Sequence, residues 1–339
     1  MKTIILRDLG GPEQYRIEDV DIPSPSENEV LVRVRAAAFN RRDIFIRKGE
    51  YPGIRLPSIP GADGAGEIAA VGKGVKDLAI GNKVVINPAL NWGNDERIYT
   101  KNLSIVGVPT DGTFAEYIKV PRENVYPKPE YLSWEEAAAL PLGGLTAYRA
   151  LFTKGKVQKG EAVLIPGIGG GVATFLLQMA SALGAKVFVT SSSEDKIQKA
   201  ITLGATGGVN YRDPNWDKQL RKWLPEGADL IIDSVGGENF AKLLNIAKHG
   251  SRIVTFGATA GPVPQLVMPK LFLKQIDILG TTMGSPTEFK KMLSFYDEHK
   301  IKPVIDSVYS FADIQEAQTR MEKGLNFGKV VVTIQKQES

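Results

Sequence analysis

The chain has 339 residues, enough for two domains with separate cores, and its 43% hydrophobic and 24% charged content is that of a soluble globular protein. A net charge of +4 with no basic block gives no footing for nucleic acid or for an anionic membrane surface. Zero cysteines exclude disulfides and every thiolate metal site, and only two histidines, His249 and His299, are present.

The first ten residues lack the apolar core of a signal peptide, and no apolar run reaches membrane-spanning length. A cytoplasmic protein is the expectation. Residues 1–126 read as β-rich, with short apolar runs at 3–6, 30–34, 83–86 and 117–120 between Gly and Pro punctuation. A short amphipathic helix is expected over 41–48. The character changes after Pro127, Lys128 and Pro129. There Ser133-Trp134-Glu135-Glu136 fits a capping box, opening a helical stretch over 137–151.

From Val163 onward the pattern alternates. Strands are expected near 163–166, 186–190, 207–210, 229–233, 251–256 and 276–281. Helices are expected near 171–183, 194–203, 215–224, 238–248 and 286–299. Such alternation implies a parallel, doubly wound sheet. His249 and His299 then fall at helix C-terminal ends, where an imidazole meets the dipole rather than a metal. The tail reads as a strand (304–309), a helix (311–322) and a strand (329–334) that returns to the first domain. The expected division is 1–126, 127–303 and 304–339.

The most informative stretch is 163–196, VLIPGIGGGVATFLLQMASALGAKVFVTSSSEDK. An apolar run meets Gly167, Gly169, Gly170 and Gly171, then an apolar helical pattern, then a second apolar run. This reads as strand, tight turn, helix and parallel strand. Glycines there let the backbone approach a diphosphate, and the helix N-terminus offers N–H donors. Gly167 and Gly169 fit the first two positions of G-x-G-x-x-G, whereas Val172 stands at the third and Ala173 one place later. On the glycines alone, an ordinary flexible βα turn fits as well.

About 20 residues past such a loop an NAD site usually carries an acid for the ribose hydroxyls. Here Thr190, Ser191, Ser192 and Ser193 stand there, followed by Lys196. Hydroxyls and a cation suit a 2′-phosphate, so the stretch leans toward NADPH. A solvated Lys196 on the first turn of a helix, balanced by Glu194 and Asp195, is the competing reading.

With the order in view, the chain resembles the medium-chain dehydrogenase/reductase superfamily, in its zinc-independent quinone oxidoreductase-like branch. The resemblance runs nearly end to end. It rests on Asn40-Arg41-Arg42-Asp43, Ile59-Pro60-Gly61, Gly64-Ala65-Gly66, Val71-Gly72, Gly112-Thr113-Phe114-Ala115-Glu116-Tyr117, Gly144-Leu145-Thr146-Ala147-Tyr148, the 163–196 unit, Asn210-Tyr211, Asp233-Ser234-Val235-Gly236-Gly237 and Gly328-Lys329-Val330-Val331. It implies an α/β chain, with a GroES-like β-rich catalytic domain and a Rossmann doubly wound parallel sheet. The departures are equally informative. Where zinc members carry a Cys the chain has Asn40, and Gly-His-Glu reads Gly61-Ala62-Asp63. No ligand stands near Leu142, and the four-Cys lobe is replaced by Asn91-Trp92-Gly93-Asn94-Asp95-Glu96-Arg97. No metal is therefore expected, and Asp43 and Asp63 alone make a poor zinc site.

Without a metal, hydrogen-bond donors must polarise the acceptor, which is easiest for a conjugated one. By resemblance, Asn40, Arg42, Tyr51 and Trp92 border the nicotinamide pocket, with Asn40 and Tyr51 the preferred donors. Asn40 also suits the N-cap of a helix starting at Arg41, Tyr51 suits packing beside Pro52, and Arg42 suits a solvated surface. Thr146 sits where the family places a hydroxyl near the nicotinamide ribose. Gly170, Gly171 and Val172 are expected to give N–H groups to the diphosphate, and Ser192 and Lys196 to meet the 2′-phosphate under Tyr211. Gly236, Gly257 and Thr259 follow the next two strands, and Asn326 and Lys329 resemble a C-terminal cofactor contact.

These readings imply an NADPH-dependent reductase of quinones or α,β-unsaturated carbonyls. The rivals are an alcohol dehydrogenase or carbonyl reductase of the same superfamily, and a non-catalytic NADPH-binding sensor or structural protein. By resemblance the strand near 276–281 pairs with its symmetry mate, so a homodimer or homotetramer is expected, with a small-molecule substrate.

Overall fold

The computed structural model describes residues 1–334. The chain forms two compact units, residues 1–145 with the chain from 284 onward, and residues 146–283. The division falls at 145 and 284 rather than at 126 and 303, because the flanking segments pack within the first unit. The Tyr131 hydroxyl lies 2.7 and 2.8 Å from the carbonyl oxygens of Tyr296 and Ile301, which share its one donor, and the rings of Tyr126 and Phe289 lie 4.9 Å apart.

The first unit is built on a seven-stranded sheet. Its order is Ile305–Ser310, Lys329–Thr333, Glu29–Ala38, Asp63–Val71, Lys83–Ile86 and Val125–Pro127, with Tyr117–Pro121 also paired to Glu29–Ala38. All pairs are antiparallel except the first. Val30, Val32 and Val34 alternate along the long central strand and are fully buried, joining Ile68, Val84, Ile86 and Val332 in one core. The Asp63–Val71 strand has no clear sequence signature, because Gly and Ala fill most of it. Its small residues are needed for closeness: a Cβ on Gly66 would stand 2.1 Å from the Arg33 carbonyl oxygen. Tyr15–Asp19, which pairs with Lys2–Leu6, likewise carried too little alternation to be read as a strand.

The expected helix over 137–151 is broken into Trp134–Ala139 and Pro141–Tyr148, followed by a π-helical turn. Pro141 has no N–H to continue the ladder. The capping box is present: the Ser133 N–H donates to Glu136 Oε2 at 2.8 Å, and the Glu136 N–H donates to Ser133 Oγ at 3.2 Å.

The second unit carries six parallel strands in the order Gly207–Asn210, Lys186–Ser191, Ala162–Ile165, Ala228–Asp233, Ala247–Thr255 and Asp277–Gly280. Chain order reverses between Ala162–Ile165 and Ala228–Asp233, the switch point where open α/β sheets bind ligands. Strand residues Val163, Leu164 and Ile165 are buried, as in sheets covered on both faces. The helix expected over 238–248 stops at Ile246. Lys274 Nζ donates to the carbonyls of Leu244, Asn245 and Ala247 and closes it. His249 therefore lies exposed on a strand, not at a helix end, whereas His299 does end the helix Pro286–His299.

Candidate active site

At the switch point, the chain leaves Ala162–Ile165 through a tight glycine turn. Gly167 and Gly169 have φ of +70° and +133°, values that favour glycine. The turn is pinned to the next strand: the Gly167 N–H donates to Thr190 Oγ1 at 3.2 Å, and the Ile168 N–H donates to the Thr190 carbonyl at 2.8 Å. Gly170 is the N-cap of the helix Gly171–Leu183, which has no side-chain cap and no acid in its first turn. Its leading N–H groups, those of Gly171 and Val172 included, have no partner within the helix and keep the positive end of the dipole unopposed. A Cβ on Gly170 would meet nothing within 4 Å. This is a cradle open enough for a diphosphate, so the residues present fit a dinucleotide.

The ends of the next two strands lie beside one another, because Ser191 is paired with Asn210. Ser192 and Tyr211 therefore leave the sheet as neighbours, and the Tyr211 N–H donates to the Ser191 carbonyl at 2.9 Å. Ser193 caps the helix Glu194–Thr202 by accepting from the Lys196 N–H, and its own N–H donates to Ser191 Oγ. The Ser192 hydroxyl takes no partner among the described residues and is half-buried. Glu194 accepts from Asn210 Nδ2 at 3.0 Å, and Asp195 pairs with Lys199 at 2.8 Å.

Beyond the switch point, Asp233 accepts N–H bonds from Val235 and Gly236 at 3.1 and 3.0 Å, while burial pushes its carboxyl up. Gly236 has φ of +64° and packs against the Gly261 carbonyl, and Gly257 approaches the Ser234 carbonyl. The Thr259 hydroxyl donates to that same Ser234 carbonyl at 3.3 Å. Thr146 is buried in the helix Pro141–Tyr148.

In the first unit, strand register assembles a second constellation. Ala38 faces Asp63 on one side and Val331 on the other, and the Phe39 N–H donates to the Val330 carbonyl. Because the last pair is antiparallel, Asn40 and Lys329 are carried to the same place. Asn40 Nδ2 donates to Asp63 Oδ2 at 2.9 Å, and Lys329 Nζ donates to Asn40 Oδ1 and to Asp63 Oδ2, both at 2.8 Å. The Leu142 N–H donates to Asp63 Oδ1 at 2.7 Å, completing that carboxylate. All three side chains are buried, at 8%, 0% and 3% exposure for Asn40, Asp63 and Lys329. Asp43 lies alongside, accepting the Asn40 N–H at 2.7 Å. Burial pushes its carboxyl up to about 6, against the pull of Arg42, the Asn40 N–H and Lys329.

The matching family models span residues 26–130, "Alcohol dehydrogenase GroES-like domain", and residues 171–298, "Zinc-binding dehydrogenase". A zinc-type alcohol dehydrogenase-like protein of Leptosphaeria maculans is 39% identical, with 96% of each chain covered. The quinone oxidoreductase of Homo sapiens is 30% identical, with 98% of each chain covered. The chain belongs to the medium-chain dehydrogenase/reductase superfamily, in its quinone oxidoreductase-like branch. Among solved structures, one described as an NAD-dependent alcohol dehydrogenase is 39% identical, with a TM-score of 0.94 over 99% of this chain and 100% of that one. The relatives make this superfamily member an oxidoreductase, and its fold implies a nicotinamide cofactor.

Zinc, which the family description implies, does not fit the residues of this dehydrogenase-like chain. Where the superfamily's metal ligands are expected stand an amide, an alanine and the Leu142 backbone, and the one carboxylate is saturated by an ammonium and two N–H groups. Among the described residues no group of three or more His, Cys, Asp or Glu could hold a metal. The segment replacing the four-Cys lobe is tied by polar contacts instead. Trp92 Nε1 donates to the Asp95 carbonyl at 3.0 Å, Thr100 Oγ1 donates to the Asn91 carbonyl at 3.0 Å, and Glu96 accepts from the Ser285 and Thr287 hydroxyls.

The other expected site residues of this oxidoreductase have individual fates. Arg42 is not a solvated surface cation. It is buried, its two terminal nitrogens donate to the carbonyls of Val106 and Val108 at 2.9 and 3.3 Å, and it lies 4.8 Å from the centre of the Tyr51 ring. The Tyr51 hydroxyl takes no partner among the described residues, and its ring packs on the core. Asn326 Nδ2 donates to the Gly328 carbonyl at 2.9 Å. Asp63 and Asp43 enter the site in roles that zinc-ligand reasoning missed. The available signal was the survival of two acids, Asp63 in an otherwise glycine- and alanine-rich run and Asp43 beside Arg41 and Arg42.

Proposed function

We propose that the protein is an NADPH-dependent, zinc-independent reductase of quinones or α,β-unsaturated carbonyls. The observation that carries this reading is the buried Asn40–Asp63–Lys329 network at the place where the superfamily's metal ligands are expected. NADPH, when bound, supplies the hydride. The glycine turn and the start of the helix Gly171–Leu183 hold the diphosphate, and Ser192, Lys196 and Tyr211 receive the 2′-phosphate. As hydride adds to a conjugated acceptor, an electron pair moves onto the acceptor oxygen, and a proton from water completes the product. Asn40 and Tyr51 donate hydrogen bonds to that oxygen. Loss of one such donor typically costs about 10²–10³ in rate.

The test is NADPH oxidation with 1,4-benzoquinone, 3-buten-2-one, butanal and cyclohexanone as acceptors, alongside elemental analysis. The expected result is turnover with the first two, at a rate that chelators do not change, in protein carrying no stoichiometric zinc. In that assay Asn40→Ala and Tyr51→Phe lower kcat and keep NADPH affinity. Turnover confined to the aldehyde and ketone would favour the second reading, an alcohol dehydrogenase or carbonyl reductase. That reading draws on the 39% identical structure described as an NAD-dependent alcohol dehydrogenase. NADPH binding with no turnover of any acceptor would favour the sensor.

A further inference from the structure

We infer that Lys329 is a positioning residue: with Asp63 it fixes the orientation of the Asn40 carboxamide and leaves one Nδ2–H as the donor for an acceptor oxygen. This rests on the proposed role of Asn40 as that donor. A carboxamide has one acceptor end and one donor end, and its two orientations differ little in shape. Here the choice is forced. An ammonium can only donate, so the atom 2.8 Å from Lys329 Nζ is Oδ1. A carboxylate can only accept, so the atom 2.9 Å from Asp63 Oδ2 is Nδ2. Flipping the amide would set a donor against the ammonium and an acceptor against the carboxylate, both in a buried place.

The Nδ2 group carries two N–H bonds, and Asp63 takes one. The second has no partner among the described residues, and Asn40 retains a little exposure at 8%. Lys329 also draws electron density toward Oδ1, which makes the remaining N–H a stronger donor. Asp63 is in turn held by Leu142 and Lys329, so neither anchor swings away. Lys329 commits two of its three ammonium N–H donors to Asn40 and Asp63. Its expected role as a cofactor contact gives a different prediction, which separates the two.

The experiment combines kinetics on 1,4-benzoquinone, NADPH binding by fluorescence, and exchange of the Asn40 side-chain N–H protons by NMR. In Lys329→Met, kcat should fall about tenfold to a hundredfold while the NADPH Kd stays within about twofold. In an Asn40→Ala background the same substitution should change kcat by less than about twofold, since a residue acting through Asn40 has nothing left to position. Additive losses, or an NADPH Kd weakened about tenfold with kcat intact, would overturn the inference. If Lys329→Met does not fold, Asp63→Asn/Lys329→Met removes both charges together and should show the same kcat loss. The NMR readout does not need turnover. Asn40 Nδ2–H exchange should be slow in the wild type and at least about tenfold faster in the variant; equal rates would overturn the inference. If the wild type reduces no quinone, the functional reading fails while this readout still decides the role of Lys329.

Discussion

Asp63 and Lys329, 266 positions apart in the chain, form an ion pair at 2.8 Å with side-chain exposures of 0% and 3%. Such a pair is not a simple source of stability, because removing two charges from water offsets most of their attraction. Breaking it is another matter. A single substitution leaves a buried charge uncompensated, at a cost of about 3–5 kcal/mol. The pair's value lies in what it orders, the Asn40 amide and the segment at Leu142.

Lys196→Ala should weaken NADPH about tenfold to a hundredfold and leave NADH nearly unchanged. A contact to a charged group contributes roughly 1.5–3 kcal/mol, which converts to that range. The reading rests on Ser192 and Tyr211 leaving two paired strand ends, with Lys196 in the first turn of the helix that follows Ser193. Fluorescence titration of both cofactors decides it, and equal wild-type affinity for the two would sink it.

Two glycines of the turn should separate folding from binding. Gly170→Ala meets open space and keeps φ at −72°, so its unfolding midpoint should match the wild type while NADPH binding weakens. Gly167→Ala places a side chain at φ of +70°, with its Cβ 2.8 Å from Val235, and should cost about 1–3 kcal/mol of stability. Thermal melts and NADPH titrations of the two variants check this. Equal effects on both quantities in both variants would contradict it.

Asp43 should give the fold an acid-side signature. Its carboxyl is pushed from 3.8 up to about 6 by burial, with Arg42 and Lys329 opposing and Asp63 adding to the rise. Between those values the folded protein holds the proton and the unfolded chain has released it. The contribution therefore destabilises as pH rises through that window, and the cost is complete above about pH 6. Asp43→Asn removes it. The stability of the variant relative to wild type should improve by about 2 kcal/mol between pH 4.5 and pH 7 in urea titrations. A difference that does not change with pH would show that Asp43 does not titrate there.

The protein should be a dimer, or a tetramer built from dimers. Asp277–Gly280 is an edge strand of the six-stranded sheet, and the preceding helix Met268–Lys274 exposes Phe272 at 61% and Leu273 at 67%. An open edge beside exposed apolar side chains is suited to a second copy. Light scattering at micromolar concentration should give at least twice the chain mass of 36.9 kDa, and Leu273→Asp should shift the protein toward monomer. A wild-type monomer would refute this.

What the sequence by itself determined is what short-range physics controls. Strand and helix alternation from Val163 onward, the glycine turn, the Ser133 capping box and the helix Pro286–His299 all follow from periodicity, caps and turn chemistry within a few residues. Asn40 and Lys329 could be singled out, but only as separate residues with separate tasks. Tertiary structure alone decided that they meet, because the meeting depends on the register that sets Ala38 between Asp63 and Val331. It also decided that the two terminal nitrogens of Arg42 donate to Val106 and Val108 and that Trp92 spends its N–H on Asp95. The helix at 238–248 was cut short for the same kind of reason, since Lys274, 28 positions beyond Ile246, supplies the donors that close it. A buried polar group must find a partner, and which partner it finds is set by the strand or helix folded beside it, not by its neighbours in sequence.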